Sequence, residues 1–322
     1  MLSITFNGGV RIAHLGRTVF FDSASSTTPG HLRLISHAHS DHVANTGRIL
    51  ATSPTIGLMK SVWELRGKTT SVQYHELMKL ENGLAVKPLN SGHVLGSAAF
   101  SIEGDGLSLN YTGDINTVET LTTQPAETCR SEFLVMESTY GHPSFVFPPR
   151  HQTYARILRW TLECLSDGVL PAFKAYSIGK AQELIKLFNT YTTLPVIAGP
   201  RVSKASKVYV DFGEKLDYMP YNDIEAVKLL ASGGCVYVDS QVRRMITHRR
   251  MRWAYVSGWA LQYRFEDMDA AFPLSSHADY KGLLEYVEET EPRKVYVFHG
   301  FSGYFARTLR RLGFDAEPLG GR

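Results

Sequence analysis

One run of six residues constrains this chain more than any other feature: His37-Ala38-His39-Ser40-Asp41-His42. Four groups able to ligate a cation stand within it, directly after the short apolar run Leu32–Ile35. Neutral imidazole and carboxylate are, besides thiolate, the common donors to zinc. On a loop leaving a strand, His37 and His39 project to one side, and Asp41 and His42 can turn toward a second point a few ångströms away. That spacing suits two cations better than one. Burying four such groups without a ligand would be costly. The run therefore demands a fold in which a strand end delivers the loop to a metal centre.

Further candidates stand at the ends of other apolar runs. Leu84–Leu89 leads to Ser91-Gly92-His93, Leu107–Tyr111 to Thr112-Gly113-Asp114, Phe133–Met136 to Glu137, and Lys294–Phe298 to His299. Thr18–Asp22 ends in an acid. A rigid strand with a polar residue on the loop beyond it is a common way to carry chemistry. Asp114 is a natural bridging carboxylate. His93, Asp114 and His299 complete two coordination spheres that leave positions open for solvent. The histidines His14, His31, His75, His142, His151 and His248 read as ordinary hydrogen-bonded residues.

Composition narrows the class. The chain has 322 residues, enough for about two domains. With 43% hydrophobic and 20% charged residues it is a folded protein and not a disordered one. No stretch approaches ~18 uninterrupted apolar residues, so no membrane span or membrane partner is expected. The opening residues lack a basic segment followed by an apolar one, so no secretory leader is expected. Cys129, Cys164 and Cys235 form no CxxC pair, which points to a reducing cytoplasm.

Beyond about residue 150 the pattern changes to strands alternating with helices. Helical spacing marks Tyr154–Ser166, Gly179–Tyr191, Lys204–Tyr209, Tyr280–Glu289 and Tyr304–Leu312. Strands are expected at Val169–Tyr176, Leu194–Ala198, Cys235–Asp239 and Trp253–Ser257. This is the signature of a parallel α/β unit separate from the first, with Phe147-Pro148-Pro149 as the linker. Residues 142–257 hold sixteen Lys and Arg against nine Asp and Glu, while the remainder holds eighteen against twenty-two. A basic segment in an acidic frame suits a polyanionic partner, although a solvated basic surface would look the same. Ser177-Ile178-Gly179-Lys180 opens a predicted helix. Its amides and the lysine could bind phosphate, or Ser177 could simply cap the helix. Arg243, Arg244, Arg249, Arg250 and Arg252, with Trp253 beside them for stacking, could grip a nucleic-acid backbone or form a solvated edge.

The ordered set His37–His42, Gly92-His93, Thr112-Gly113-Asp114 and His299 resembles the signature of the metallo-β-lactamase superfamily, with Asp22 similar to its first acidic motif. Glu137-Ser138-Thr139-Tyr140-Gly141, Ser276-His277-Ala278-Asp279 and His299-Gly300 resemble motifs A, B and C of the β-CASP nucleases, whose insertion lies between A and B. The resemblance runs in order over nearly the whole chain. It looks closest to the compact ligase-associated DNA exonucleases, through Gly92-His93-Val94-Leu95-Gly96-Ser97, the Glu137 motif and Ser257-Gly258-Trp259.

The resemblance implies an α/β fold: a metallo-β-lactamase αββα four-layer sandwich, residues 1–141 and 271–322, with an inserted α/β β-CASP domain at 142–270. It implies that His37, His39 and His93 hold one divalent metal and Asp41, His42 and His299 the other, with Asp114 bridging and Asp22 bracing the loop. Zinc is expected, and manganese suits the same donors. A bridging hydroxide would attack the phosphodiester. His277 would act as general acid, held by Glu137, and Ser138, Thr139 and Tyr140 would contact phosphate. DNA is the favoured substrate, in repair and linked to a DNA ligase. Histidine at motif C is a departure, because many DNA-processing members carry valine there and RNA-processing ones histidine. An RNA-processing nuclease is the alternative. A thioester or lactam hydrolase, or a silent nucleic-acid scaffold, fits less of the sequence.

Overall fold

The computed structural model describes residues 2–23, 31–43, 46–243 and 247–320. Arg244 lies outside them. The chain divides into two compact units. The first comprises Met1–Glu119, Thr123–Val146 and His277–Arg322, and the second Thr120–Thr122 and Phe147–Ser276. The junctions thus fall at 146/147 and 276/277 instead of the expected 141/142 and 270/271. The reason is packing: Tyr140 and Phe145 are buried with the first unit, and the segment after 270 pairs into the sheet of the second.

In the first unit, β1 (Leu2–Phe6), β2 (Val10–His14), β3 (Arg17–Phe21), β4 (Leu32–Leu34), β5 (Arg48–Thr52) and β6 (Lys68–Val72) form one sheet in that order, with helix α1 (Ser53–Trp63) between the last two. The chain continues through β7 (Met78–Lys79), β8 (Ala85–Asn90), β9 (Ala98–Gly104), β10 (Leu107–Tyr111) and β11 (Phe133–Glu137). The second unit follows, with α2 (Arg150–Ser166), β12 (Leu170–Lys174), α3 (Lys180–Tyr191), β13 (Val196–Ala198), α4 (Pro200–Asp211), β14 (Met219–Pro220), α5 (Ile224–Ser232), β15 (Val236–Asp239), β16 (Met251–Val256) and β17 (Ala270–Phe272). The chain then returns to the first unit as α6 (Tyr280–Thr290), β18 (Lys294–Phe298), α7 (Ser302–Arg311) and β19 (Asp315–Pro318). The second sheet of the first unit has the order β19-β18-β11-β10-β9-β8-β7.

Two cores organise the first unit. Phe21, Leu34 and Leu50 from one sheet pack against Val86, Phe100, Leu109, Val135 and Phe298 from the other. On the far face of the second sheet, Leu134, Met136, Val295 and Val297 meet Leu283 and Tyr286 of α6 and Phe305 and Leu309 of α7. Each large side chain buried this way stabilises the fold by roughly 1.5–3 kcal/mol before entropy is counted. With α1 lying against β5 and β6, the layers are helix, sheet, sheet, helix. The αββα sandwich expected from the sequence is the fold of this unit.

The second unit is a six-stranded, all-parallel sheet, β14-β13-β15-β12-β16-β17. Its central strand β12 is apolar on both faces, as a parallel strand covered by helices must be. Phe173 faces a core built with Tyr154, Leu184, Phe188 and Val202. Leu170 and Ala172 face Ala226 and Leu230 of α5. No helix among the described residues is long and apolar enough to cross a membrane.

Candidate metal centre

Strand direction explains where the functional loops gather. β3 and β4 are parallel, and so are β10, β11 and β18; β8 and β10 each run antiparallel to β9 between them. The segments that leave their carboxyl ends carry Asp22, His37 to His42, His93, Asp114, Glu137 and His299. These residues converge inside the first unit. One oxygen is common to the group: Asp114 Oδ2 lies 3.4 Å from His37 Nε2, 3.6 Å from His93 Nε2, 3.8 Å from His42 Nε2 and 3.9 Å from His277 Nε2.

Three groups of possible donors share Asp114: two are built from the expected ligands, and the third joins it to Glu137 and His277. In the first, His39 Nδ1 sits 3.1 Å from both His37 Nε2 and His93 Nε2, and the four ligand atoms lie within 4.8 Å of one another. The second brings together His42, Asp114 and His299. Asp41 stands beside it with Oδ2 3.7 Å from His42 Nε2, and its side chain is 75% exposed.

The hydrogen-bond network sets the tautomers. Ser36 Oγ donates to Asp22 Oδ2 at 2.6 Å, which uses its one hydrogen, so it accepts from His37 Nδ1 at 2.9 Å. His37 therefore turns the lone pair of Nε2 toward Asp114. Burial, then the positive neighbours His42, His93 and His39, hold the His37 pKa well below its usual value, so the ring is neutral. His42 behaves in the opposite way. Burial works against its charge, but the carboxylates of Asp114 and Asp22 outweigh it and push the pKa up to about 10. Its Nδ1 is 3.0 Å from Asp22 Oδ2 in an ion-pair contact.

Asp22 is the hub beneath these ligands. It also accepts from the Ser36 amide at 2.7 Å and from the Tyr111 hydroxyl at 2.7 Å. Ser36 and Tyr111 are site residues that sequence reading passed over. Ser36 adjoins His37, which is a usable signal, whereas nothing in the pattern marks Tyr111. Gly113 is required here. At φ +55°, a Cβ on it would stand 2.4 Å from Ser36 Cβ.

The donors fit cations. Asp114 Oδ1 is buried without a hydrogen-bond partner, an arrangement that costs free energy unless something positive meets it. Burial raises the Asp114 pKa against the pull of His42. The proton that His42 retains stands where a cation would take its place. Metal binding at such a site releases protons.

Beside the donors sits a pair separated by 140 positions in sequence. His277 Nδ1 is 2.9 Å from Glu137 Oε1. Glu137 is fully buried, and its oxygens also accept from the amides of Ile115 at 2.9 Å and Thr139 at 3.1 Å. Burial opposes its ionisation, but His277 and these hydrogen bonds prevail and lower its pKa. A carboxylate only accepts, so His277 carries its hydrogen on Nδ1 and leaves Nε2 facing Asp114. His299 is fixed by its own neighbourhood. It adopts φ +59°, its carbonyl accepts from Ser138 Oγ at 2.7 Å, and its ring meets Phe6 edge-on.

Several expected substrate contacts fall elsewhere. Ser138 is buried, with its hydroxyl spent on the carbonyls of Phe298 and His299. Tyr140 is 2% exposed, and Thr139 supplies its amide to Glu137. In the second unit Gly179, not Ser177, is the N-cap of α3. Ser177 offers its carbonyl to Gln182. Lys180 is buried with Nζ 3.4 Å from Ser276 Oγ and 4.8 Å from the Tyr176 ring. Arg249 Nε donates to the Ala231 carbonyl at the end of α5. Arg243 pairs with buried Asp239 four positions before it, and Arg252 with Asp167, each within the second unit. Trp253 is 7% exposed against Tyr237, which removes it as a stacking surface. Arg250 is exposed.

Comparison with known proteins agrees with this geometry. Residues 270–317 match the family described as the Zn-dependent metallo-hydrolase RNA specificity domain. A protein of Opitutus terrae named probable DNA ligase is 35% identical over 89% of this chain, which spans only 28% of that protein's length. An RNase J-like protein of Methanocaldococcus jannaschii is 29% identical over 83% of this chain and 80% of its own. A crystal structure of an Enterococcus faecalis protein of unknown function shares the fold at a TM-score of 0.69, with 12% identity, over 99% of this chain and 97% of that one. The ordered motifs, the αββα sandwich with its inserted unit and these relatives point one way: the chain is similar to the β-CASP branch of the metallo-β-lactamase superfamily, a family of metal-dependent nucleases.

Proposed function

We propose that this chain cleaves phosphodiester bonds of DNA from a strand end, as a cytoplasmic repair exonuclease linked in function to a DNA ligase. His37, His39 and His93 would hold one divalent cation and Asp41, His42 and His299 a second, with Asp114 shared. Zinc is the first choice and manganese the alternative. Bound there, such cations supply Lewis acidity at phosphoryl oxygens and a nucleophile from water at neutral pH.

The observation that carries the reading is the Glu137–His277 pair beside the donors. Glu137, held ionised, accepts Nδ1–H and stabilises the ring when it gains a second proton. Protonated Nε2 then gives that proton to the departing sugar oxygen. A thioester or lactam hydrolase would leave this pair without a task. DNA is supported by the Opitutus relative, which is named probable DNA ligase and matches most of this chain. The second reading, RNA, is favoured by the RNA-specificity description of residues 270–317 and by the RNase J-like name.

The test is zinc- or manganese-loaded protein on matched end-labelled single-stranded DNA and RNA, with Asp114→Ala and His277→Ala beside it. A one-nucleotide product ladder on DNA is expected. Asp114→Ala should lose metal and activity together, and His277→Ala should keep its metal but slow by ~10²–10⁴-fold. Internal cuts on RNA would replace the DNA reading, and a fully active His277→Ala would remove the general acid.

A further inference from the structure

We infer that a ridge of aromatic rings leading away from His277 is a stacking platform for unpaired nucleobases next to the cleaved phosphate. This rests on the nucleic-acid reading above.

The ridge lies wholly within the first unit. Tyr140 meets His277 edge-on at 5.8 Å between ring centroids. Phe145 follows at 5.1 Å from Tyr140, and Phe301 at 5.5 Å from Phe145. His142 then joins Phe301 at 5.3 Å and Tyr304 at 4.5 Å. The exposed Arg307 carries its guanidinium 5.8 Å from the Tyr304 ring. Tyr140 and Phe145 are 2% exposed and serve the core. His142, Phe301 and Tyr304 are only partly covered. The series thus begins buried beside the general acid and ends at solvent beside a cation.

The outer rings are also held in place. The Ser144 amide donates to His142 Nδ1 at 3.2 Å, which fixes the orientation of the ring. Phe301 donates its amide to the Ser138 carbonyl at 2.9 Å, two positions after His299. Gly300 makes this turn possible. At φ +52°, a Cβ there would stand 2.4 Å from Ser138 O and from Thr139 Cα. A strand whose phosphate reaches Asp114 and His277 therefore meets preformed aromatic faces within a few residues of the ligands. Every base offers a π-face, so such a surface takes single strands with little regard to sequence, and Arg307 supplies charge for the backbone. Paired bases are stacked on each other and gain nothing from it, so the platform selects unpaired ends.

The test compares KM for cleavage of a short single strand with KM for a strand of equal length and charge made abasic next to the cleaved bond. Both are built in whichever nucleic acid the holoenzyme cleaves. Wild type should prefer the base-bearing strand by roughly 5–100-fold. Tyr304→Leu should raise KM for that strand and erase the preference, while Tyr304→Trp should keep it. Equal KM for the two strands in wild type, or an undiminished preference in Tyr304→Leu, would overturn the inference. If wild type cleaved neither DNA nor RNA, the nuclease reading itself would fall and take the platform with it.

Discussion

At the scale of single residues, the site depends on a buried carboxylate kept ionised where burial disfavours charge. Glu137 shows this in testable form. Its pKa is lowered from 4.5, so its ionised form contributes stability that is present above about pH 4.5 and is lost as the pH falls through the lower folded value. Glu137→Gln keeps the shape but must point an NH₂ group at one of three donors: the amides of Ile115 and Thr139 or His277 Nδ1. We expect it to cost about 1–3 kcal/mol at neutral pH. The gap should narrow in acid, as wild type loses its own charge. Urea unfolding of the metal-free protein across that range checks this, and a constant gap would mean that Glu137 is neutral in the fold. The ligand residues were legible because histidine and aspartate at strand ends are rare enough to notice. The pairing of Glu137 with His277 was not legible from spacing, since no local pattern encodes contact across 140 positions; family motifs supplied it. Ser36 holds both His37 and Asp22, Tyr111 acts through Asp22, and their residue types announce nothing.

At the scale of elements, strand-then-loop punctuation was easy to read in the first unit, but α1 was missed. Its signals were present: Thr52 accepts from the Thr55 amide as N-cap, and Pro54 sits in the first turn. They were masked by the run of strands around them and by Gly57 inside the helix. The omission matters, because Trp63 at the end of α1 donates from Nε1 to the Ala38 carbonyl at 2.7 Å, between His37 and His39. The helix therefore helps hold the ligand loop. The basic run was left open by the sequence for a related reason. Sequence shows that arginines cluster, but not where their donors point. Arg249 closes the end of α5, where the last carbonyls lack helical partners. Arg249→Ala should lower stability by about 0.5–1.5 kcal/mol and leave the salt dependence of nucleic-acid binding nearly unchanged. Arg250→Ala should do the reverse, flattening the slope of log K against log salt by roughly 0.7–0.9. Paired thermal melts and salt titrations separate the two, and an equal loss of slope would restore Arg249 as a phosphate contact.

At the scale of the whole molecule, the metal donors and the pair that would move the proton lie in one unit, while the insertion has its own parallel sheet and its own cores. A ligand that binds only the folded first unit stabilises that unit by mass action, by about 2.7 kcal/mol at a concentration 100 times its Kd. The four tryptophans report on this by position. Trp63 touches the ligand loop, and Trp160, Trp253 and Trp259 belong to the second unit. With fluorinated tryptophan, each gives its own ¹⁹F resonance through a denaturant titration. Zinc should move the unfolding midpoint of the Trp63 signal upward. The other three should follow only as far as the units unfold together, so the ratio of the two shifts measures their coupling. A Trp63 midpoint indifferent to zinc would mean that the His37–His42 loop binds no metal. Every function argued from Asp114 outward would then lose its foundation, whatever the fold.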